Sequence, residues 1–239
     1  NCSKGTPGAL TLTITDANSV PNIRFSPSAT SEGNEGGSEI GIVVELVDDA
    51  GISTTSGKEI VVAFGIDDQS TTNNEGSRLD HNLADYGSSI TIPANTANET
   101  IDFTILSDAY YEVDEFLILD LGEPVAGEDD QPTVQVDTDG NKHTVTFVNT
   151  NDPPEVSFAS PTAAADETND NFIFELDVTL SAESEVDASF YFSSTDGSAG
   201  SSGVDGGIGN DYSVSAVEPI TIDAGETEGF IPVTIIGDG

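Results

Sequence analysis

The chain has 239 residues, of which 44 are acidic and 5 are basic, and its formal charge at pH 7 is −39. This charge excludes nucleic acid and anionic membranes as partners, because both are polyanions that bind Lys- and Arg-rich faces, and it favours cations. The lone cysteine, Cys2, excludes an internal disulfide framework. Without an apolar run of about 18 residues, we expect no membrane insertion.

Apolar and polar residues alternate with a period of two along most of the chain, which is typical of half-buried β-strands. The first run, Leu10, Leu12 and Ile14, alternates with threonines. The later runs lie, in chain order, within residues 40–46, 60–64, 101–105, 116–118, 145–147, 172–180, 190–192, 220–222 and 231–235. In the 116–118 run, Phe116 and Ile118 are expected on the buried face. Turn residues separate the runs, so the pattern predicts an all-β fold of antiparallel sandwiches without significant helix.

The chain also repeats itself, which indicates tandem domains. Residues 22–25 recur at 155–158, and Asp85-Tyr86 recurs as Asp211-Tyr212. We therefore predict a first domain at 19–152 and a second at 153–239, joined where two prolines stiffen the link. Residues 1–18 are expected to be the closing strand of a preceding repeat. The second domain is expected to lack its last two strands.

Both halves carry a distinctive set of motifs. The first half contains Phe64-x-x-x-Asp68, Asp85-Tyr86, Ile90-Thr91-Ile92-Pro93 and Ile105-Leu106-Ser107-Asp108-x-x-x-Glu112-x-Asp114-Glu115-Phe116. The second half contains Phe192-Ser193-Ser194-Thr195-Asp196, Asn210-Asp211-Tyr212, Ile222-Asp223-Ala224-Gly225-Glu226-Thr227 and Val233-Thr234-Ile235-Ile236-Gly237-Asp238. Over residues 20–239 these motifs resemble the Calx-β domain family. The resemblance implies tandem immunoglobulin-like sandwiches, each with a calcium cluster at one end, close to the next domain.

The resemblance also implies which residues bind the calcium ion, which takes about six to eight oxygen ligands. In the first domain they are Glu32, Glu35, Asp68, Asp108, Glu112, Glu115, Asn151 and Asp152. In the second domain they are Glu167, Asp196 and Asp238. Asparagine where the family has aspartate lowers the charge of the shell and predicts weak sites. For each residue the alternative is a solvated surface side chain, because acidic residues are frequent throughout this chain.

We therefore expect a calcium-binding structural or adhesive repeat module of a secreted or cell-surface protein, in which calcium stiffens successive domains. Its expected partners are calcium, neighbouring repeats or identical copies, and a cell-surface or matrix ligand. We expect no enzyme, because the sequence has no nucleophile elbow, phosphate-binding loop or dinucleotide fingerprint. The two histidines, His81 and His143, are expected at exposed positions.

Two other functions remain open. In one, the chain is a subunit of an extracellular filament, and the strand from Leu10 to Asp16 of one copy completes the open domain of another. In the other, the chain is a non-catalytic accessory or carbohydrate-binding region of a secreted enzyme. The absence of Trp and the presence of only 5 Tyr disfavour the aromatic platform that such a region needs.

Overall fold

The computed structural model describes residues 3, 10–13, 20–26, 30–72, 74–75, 78–124, 134–201, 211–214 and 219–237. Its strands are β1 Asn22–Phe25, β2 Thr30–Asn34, β3 Glu39–Val47, β4 Ile60–Ile66, β5 Asn74–Glu75, β6 Arg78–Leu79, β7 Ser89–Ile92, β8 Asn98–Thr104, β9 Glu115–Pro124, β10 Gln135–Val136, β11 Lys142–Val148, β12 Val156–Phe158, β13 Phe172–Leu180, β14 Ala188–Phe190, β15 Tyr212–Val214, β16 Ile220–Ile222 and β17 Glu228–Ile235. One helical turn, α1, spans Leu83–Tyr86. The all-β prediction is confirmed, and no helix among these residues is long and apolar enough to cross a membrane.

The first half of the chain folds into a sandwich of two sheets. One sheet has the order β10-β1-β3-β8 and the other has the order β2-β11-β9-β4-β7. Most neighbours are antiparallel, whereas β1 with β10 and β2 with β11 are parallel. Because side chains alternate across a strand, one face of each strand fills a common core. The fully buried core side chains include Ile23, Phe25, Ile101, Leu117 and Phe147.

The second half repeats part of this arrangement with a smaller core. Its described strands form one sheet in the order β12-β13-β17-β15 and a two-stranded sheet of β14 and β16. Phe158 lies opposite Val178 in the same way that Phe25 lies opposite Val44 in the first sandwich. The buried cluster contains Val178, Leu180, Ile222, Ile231 and Val233. The boundaries proposed for the two domains remain predictions.

The structure corrects the predicted orientation of β9. Phe116 is exposed, whereas Leu117, Leu119 and Leu121 point into the core. A shift of one residue moves every side chain of a strand to the opposite face. In a run of consecutive apolar residues, the sequence does not show which alternate set faces inward.

The two histidines are also placed differently from the prediction. His81 is completely buried, and its ring lies edge-on to those of Phe103 and Phe147, at centroid distances of 6.1 and 5.9 Å. Burial lowers the pKa of His81 and favours the neutral ring. His143 is buried on the inner face of β11, where its Nε2 lies 3.0 Å from the hydroxyl of Ser31. Both rings therefore belong to the core.

Candidate metal centre

Three carboxylates from two segments meet at one end of the first sandwich. Asp80 follows β6, while Asp108 and Glu112 lie in the loop between β8 and β9, here called the metal loop (residues 106–114). The amide of Leu106 donates to the carbonyl of Asp80 at 2.7 Å, and His81 forms a β-bridge with Ile105. This pairing fixes the two segments side by side. As a result, one oxygen from each of the three carboxylates lies within 4.8 Å of the other two.

Burial distinguishes this cluster from the many acidic residues of the surface. Glu112 is only 3% exposed and Asp80 is 5% exposed, whereas Asp108 is half-buried. At this end of the sandwich the buried oxygens Asp108 Oδ2, Glu112 Oε1 and Glu35 Oε2 have no hydrogen-bond partner among the described residues. A buried carboxylate oxygen without a partner is costly, and it needs either a proton or a cation. The cluster therefore has the chemistry of a site for a hard divalent cation.

The electrostatics of Glu112 point the same way. Burial, together with the negative charges of Glu185, Asp108, Asp80 and Glu35, raises the pKa of Glu112 to about 9. Like charges at short range cannot all be ionised without a counter-ion, so the metal-free protein holds a proton here. A divalent cation would replace that proton and allow the carboxylates to ionise together.

Two further carboxyl groups border the cluster. Burial, together with a hydrogen bond to Asp80, raises the pKa of Glu115 to about 8. Burial also raises the pKa of Glu35, and the nearby charges of Asp108 and Asp80 contribute. Glu115 begins β9 and Glu35 follows β2, so four different segments supply acidic groups to one end of the sandwich.

The segment after β11 supports the backbone of the metal loop. The side-chain amide of Asn149 donates to the carbonyl of Glu112, and that of Asn151 donates to the carbonyl of Asp108 at 3.4 Å. The backbone amide of Asn149 donates to Asp114 Oδ1 at 3.1 Å. These contacts hold the loop in the conformation that brings its carboxylates together. Asn151 thus lies at the site through its contact with the loop backbone.

The structure brings together some of the predicted ligands of the first domain and separates others. Asp108 and Glu112 belong to the cluster, and Glu35, Glu115 and Asn151 adjoin it. Glu32 is exposed on β2, Asp68 is exposed in the loop after β4, and Asp152 is exposed after β11. Asp68 follows Asp67, which forms an ion pair with Lys142.

The predicted ligands of the second domain form no described metal cluster. Glu167 and Asp196 are both exposed. Asp196 Oδ1 accepts hydrogen bonds from the hydroxyl of Tyr212 at 2.7 Å and from the amide of Ser201 at 3.0 Å. These bonds lower the pKa of Asp196 and engage its carboxylate with Tyr212 and Ser201. Asp238 lies outside the described residues.

Asp80 is the residue of the carboxylate cluster that sequence reasoning missed. It follows the short β5–β6 hairpin, and no motif of the kind that singled out Asp68 surrounds it. The buried His81 beside it is the one unusual neighbour. Only the pairing of this segment with residues 105–106 shows that Asp80 enters the site.

The metal loop also forms the contact between the two halves of the chain. The amide of Tyr111 donates to the carbonyl of Glu183 at 3.2 Å, and the amide of Glu185 donates to the carbonyl of Tyr111 at 2.9 Å. Arg78 Nη1 lies 3.0 Å from Glu185 Oε1, and the Arg78 guanidinium lies 4.4 Å from the ring centre of Tyr110. The backbone bridge and the ion pair thus converge beside the carboxylate cluster.

Comparison with known proteins gives a structural resemblance and no sequence match. No family model matches the chain, and no curated protein matches it. The calcium binding domain CBD12 of CALX1.1 is similar, with a TM-score of 0.38 and 16% identity, over 91% of this chain and 76% of that chain. The apo-form Calx CBD1 domain has a TM-score of 0.40 and 16% identity, over 55% of this chain and 98% of that chain.

A third similar structure is a putative carbohydrate binding protein from Bacteroides ovatus. Its TM-score is 0.36 and its identity is 10%, over 66% of this chain and 46% of that chain. This chain is an all-β protein similar to solved structures of Calx calcium-binding domains.

Proposed function

We propose that this chain is a calcium-binding β-sandwich module of the Calx-β type, and that calcium binds at the cluster of Asp80, Asp108 and Glu112. The observation that carries the proposal is the burial of Asp80 and Glu112 together with the unpartnered oxygens of Asp108 and Glu112. Solvated acidic side chains on a surface would be exposed, and water would satisfy their oxygens. Here Asp80 and Glu112 are almost completely buried, and one oxygen of each of the three carboxylates lies within 4.8 Å of the other two.

The donor set favours calcium among the common cations. The cluster consists of carboxylate oxygens alone, which suit hard cations, whereas zinc and copper favour histidine and cysteine. Calcium accepts irregular shells of about six to eight oxygens, while magnesium requires a tighter octahedron and keeps its waters. The neighbouring Glu35 and Glu115 can complete such a shell together with backbone carbonyls and water. The weak affinity expected here, on the order of 10⁻⁴–10⁻³ M, is typical of extracellular modules.

The proposed role of calcium is mechanical. Tyr111 lies in the metal loop between two of the proposed ligands, and its backbone pairs with residues of the second half. A cation that orders the loop would therefore also order the contact between the halves. We place the module in a secreted or cell-surface repeat protein, where calcium is abundant and where a stiff rod can extend or adhere. It has no catalytic role in this proposal.

Thermal unfolding with calcium, with magnesium and with a chelator tests the proposal. Binding to the folded state alone stabilises it by about 2.7 kcal/mol when calcium exceeds the dissociation constant a hundredfold. The Glu112→Gln variant should lose this gain. The matched control is Glu32→Gln, because Glu32 is exposed on β2 and lies outside the cluster. An equal calcium response in both variants, or a midpoint that calcium leaves unchanged, would refute the proposed site.

A further inference from the structure

Glu185, in the second half of the chain, carries a buried carboxylate oxygen without a hydrogen-bond partner. This oxygen, Oε1, forms an ion pair with Arg78 Nη1 at 3.0 Å, and no described group donates a hydrogen bond to it. Within the described ranges, the other carboxylate oxygens of this kind are Asp108 Oδ2, Glu112 Oε1 and Glu35 Oε2, all at the metal centre. Glu185 therefore has the same unmet need for a cation as the carboxylates of the first half.

The bridge between the two halves places Glu185 beside Glu112. Tyr111 and Ser184 form a parallel β-bridge, in which the amide of Glu185 donates to the carbonyl of Tyr111 at 2.9 Å. Glu112 and Glu185 are the residues that directly follow this pair. Residues in register on neighbouring parallel strands lie about 4.8 Å apart and point to the same face. The two glutamate side chains therefore leave the bridge side by side.

The electrostatics of the site agree with this placement. After burial, the negative charge of Glu185 is the largest cause of the raised pKa of Glu112, ahead of the charges of Asp108 and Asp80. The same charge contributes to the raised pKa of Glu115, which is caused chiefly by burial. Like charges affect one another in this way only at short range or in a partly dry interior. The Glu185 carboxylate thus shares the environment of the cluster.

The carboxylate cluster leaves room for a further ligand. Asp80, Asp108 and Glu112 each offer one oxygen to a common point, whereas calcium takes about six to eight oxygens. A carboxylate has two oxygens and about four lone-pair positions. Glu185 can therefore bind a cation while it keeps its ion pair with Arg78.

We propose that Glu185 is a further ligand of the calcium site, supplied by the second half, so that the cation joins the two halves directly. This inference rests on the proposed function, because it needs a cation at the carboxylate cluster of the first half. Arg78 is a positioning residue, which orients the Glu185 carboxylate through the ion pair and does not touch the cation. The site is complete only when the halves are in contact, so calcium binding and docking of the halves strengthen each other.

Isothermal titration of calcium into the full chain tests whether Glu185 contributes to binding. The Glu185→Ala variant should bind calcium at least tenfold more weakly, because one charged ligand is missing from the shell. The matched control is Glu175→Ala, which removes the same charge from an exposed position of β13 in the same half. The control should bind calcium like the unmodified chain. Equal affinities in the two variants would overturn the proposal.

A luminescent cation separates a ligand from a residue that acts only through Arg78. The decay of bound europium luminescence in light and heavy water counts the water molecules on the ion. Glu185→Ala should add about one coordinated water, because water takes the vacated position in the shell. Arg78→Gln removes the ion pair but keeps the carboxylate, so it should leave the count unchanged. An unchanged count in Glu185→Ala would show that Glu185 does not touch the cation, and the proposal would be wrong.

The direct link also predicts how calcium affects the contact between the halves. In small-angle scattering, saturating calcium should narrow the distribution of interatomic distances of the unmodified chain. The distribution of Glu185→Ala should stay as broad with saturating calcium as without it, because the cation no longer joins the halves. Equal narrowing in the two proteins would show that calcium orders the contact through the metal loop alone, which contradicts the proposal.

Failure of this inference can be told apart from failure of the proposed calcium site. If Glu112→Gln loses calcium binding while Glu185→Ala binds calcium like Glu175→Ala, the cluster is the site and Glu185 is not a ligand. If the unmodified chain binds no calcium, or if Glu112→Gln binds it equally well, the proposed site is wrong and the role of Glu185 fails with it.

Discussion

Tyr111 and Ser184 form a parallel β-bridge that joins the first half of the chain to the second. Ser184 is almost completely buried, and its carbonyl accepts a hydrogen bond from the amide of Gly225 at 2.8 Å. Tyr111 belongs to the metal loop, between Asp108 and Glu112. The loop that holds the proposed cation therefore also holds the second sandwich, so occupancy of the site and order at the contact should change together.

Asp80 should be essential for calcium binding and Asp68 should be dispensable. Asp80→Asn removes one of the three clustered carboxylates, whereas Asp68→Asn changes an exposed residue of the loop after β4. Isothermal titration should show at least a tenfold loss of affinity for Asp80→Asn and little change for Asp68→Asn. The opposite ranking would mean that the ligand set implied by the sequence motif is correct and that the cluster is not the site.

The metal-free protein should become less stable as the pH rises from about 5 to 9. The pKa of Glu112 is raised to about 9 and that of Glu115 to about 8, from a usual value of 4.5. Between these values the folded state binds more protons than the unfolded state, so the free energy of unfolding falls with increasing pH. Thermal melts in chelator at several pH values measure this slope.

Charge repulsion over the whole chain also grows with pH, so the measured change of the free energy of unfolding with pH needs a control. The double variant Glu112→Gln/Glu115→Gln should show a shallower slope, because its side chains cannot ionise. Glu32→Gln removes one charge at an exposed position and should keep the original slope. Equal slopes in all three proteins would show that the cluster does not titrate in this range.

Arg78 should control the contact between the two halves. Its guanidinium pairs with Glu185 at 3.0 Å and lies over the ring of Tyr110, so Arg78→Gln removes both interactions. We expect greater relative motion of the halves, seen as a broader distance distribution in small-angle scattering. Lys142→Gln is the comparison, because Lys142 pairs with Asp67 and Asp120 inside the first sandwich. Equal broadening in both variants would contradict a specific role of Arg78.

A side chain at Gly33 should fit only if the Ile105 and Ile40 side chains move. A Cβ at Gly33 would lie 2.8 Å from Ile105 Cδ1 and 3.0 Å from Ile40 Cδ1, inside a packed region. Gly33→Ala should therefore lower the free energy of unfolding by about 1–3 kcal/mol. At Gly57 an added Cβ meets no atom within 4 Å, so Gly57→Ala should have little effect. Chemical denaturation of the two variants measures the difference, and equal stability would show that β2 shifts to make room.

The strand content of this protein could be predicted from local patterns, because burial of alternate residues leaves a period of two in the sequence. The buried faces of β3, β4 and β8, which include Ile40, Ile60 and Ile101, were predicted correctly. The face of β9 was predicted wrongly, since Phe116 to Leu121 contains apolar residues on both faces. In β9 the buried face is the one that the opposite sheet of the sandwich covers.

For the proposed metal centre, the sequence by itself determined the acidic charge and the motif of residues 105–116, because these follow from composition and from one continuous stretch of the chain. It could not determine Asp80, since its place depends on the pairing of His81 with Ile105. Nor could it separate the exposed Asp68 from the buried Glu112 among 44 acidic residues. Only the tertiary structure decided these points, because burial and mutual distance arise where segments far apart in the chain pack together.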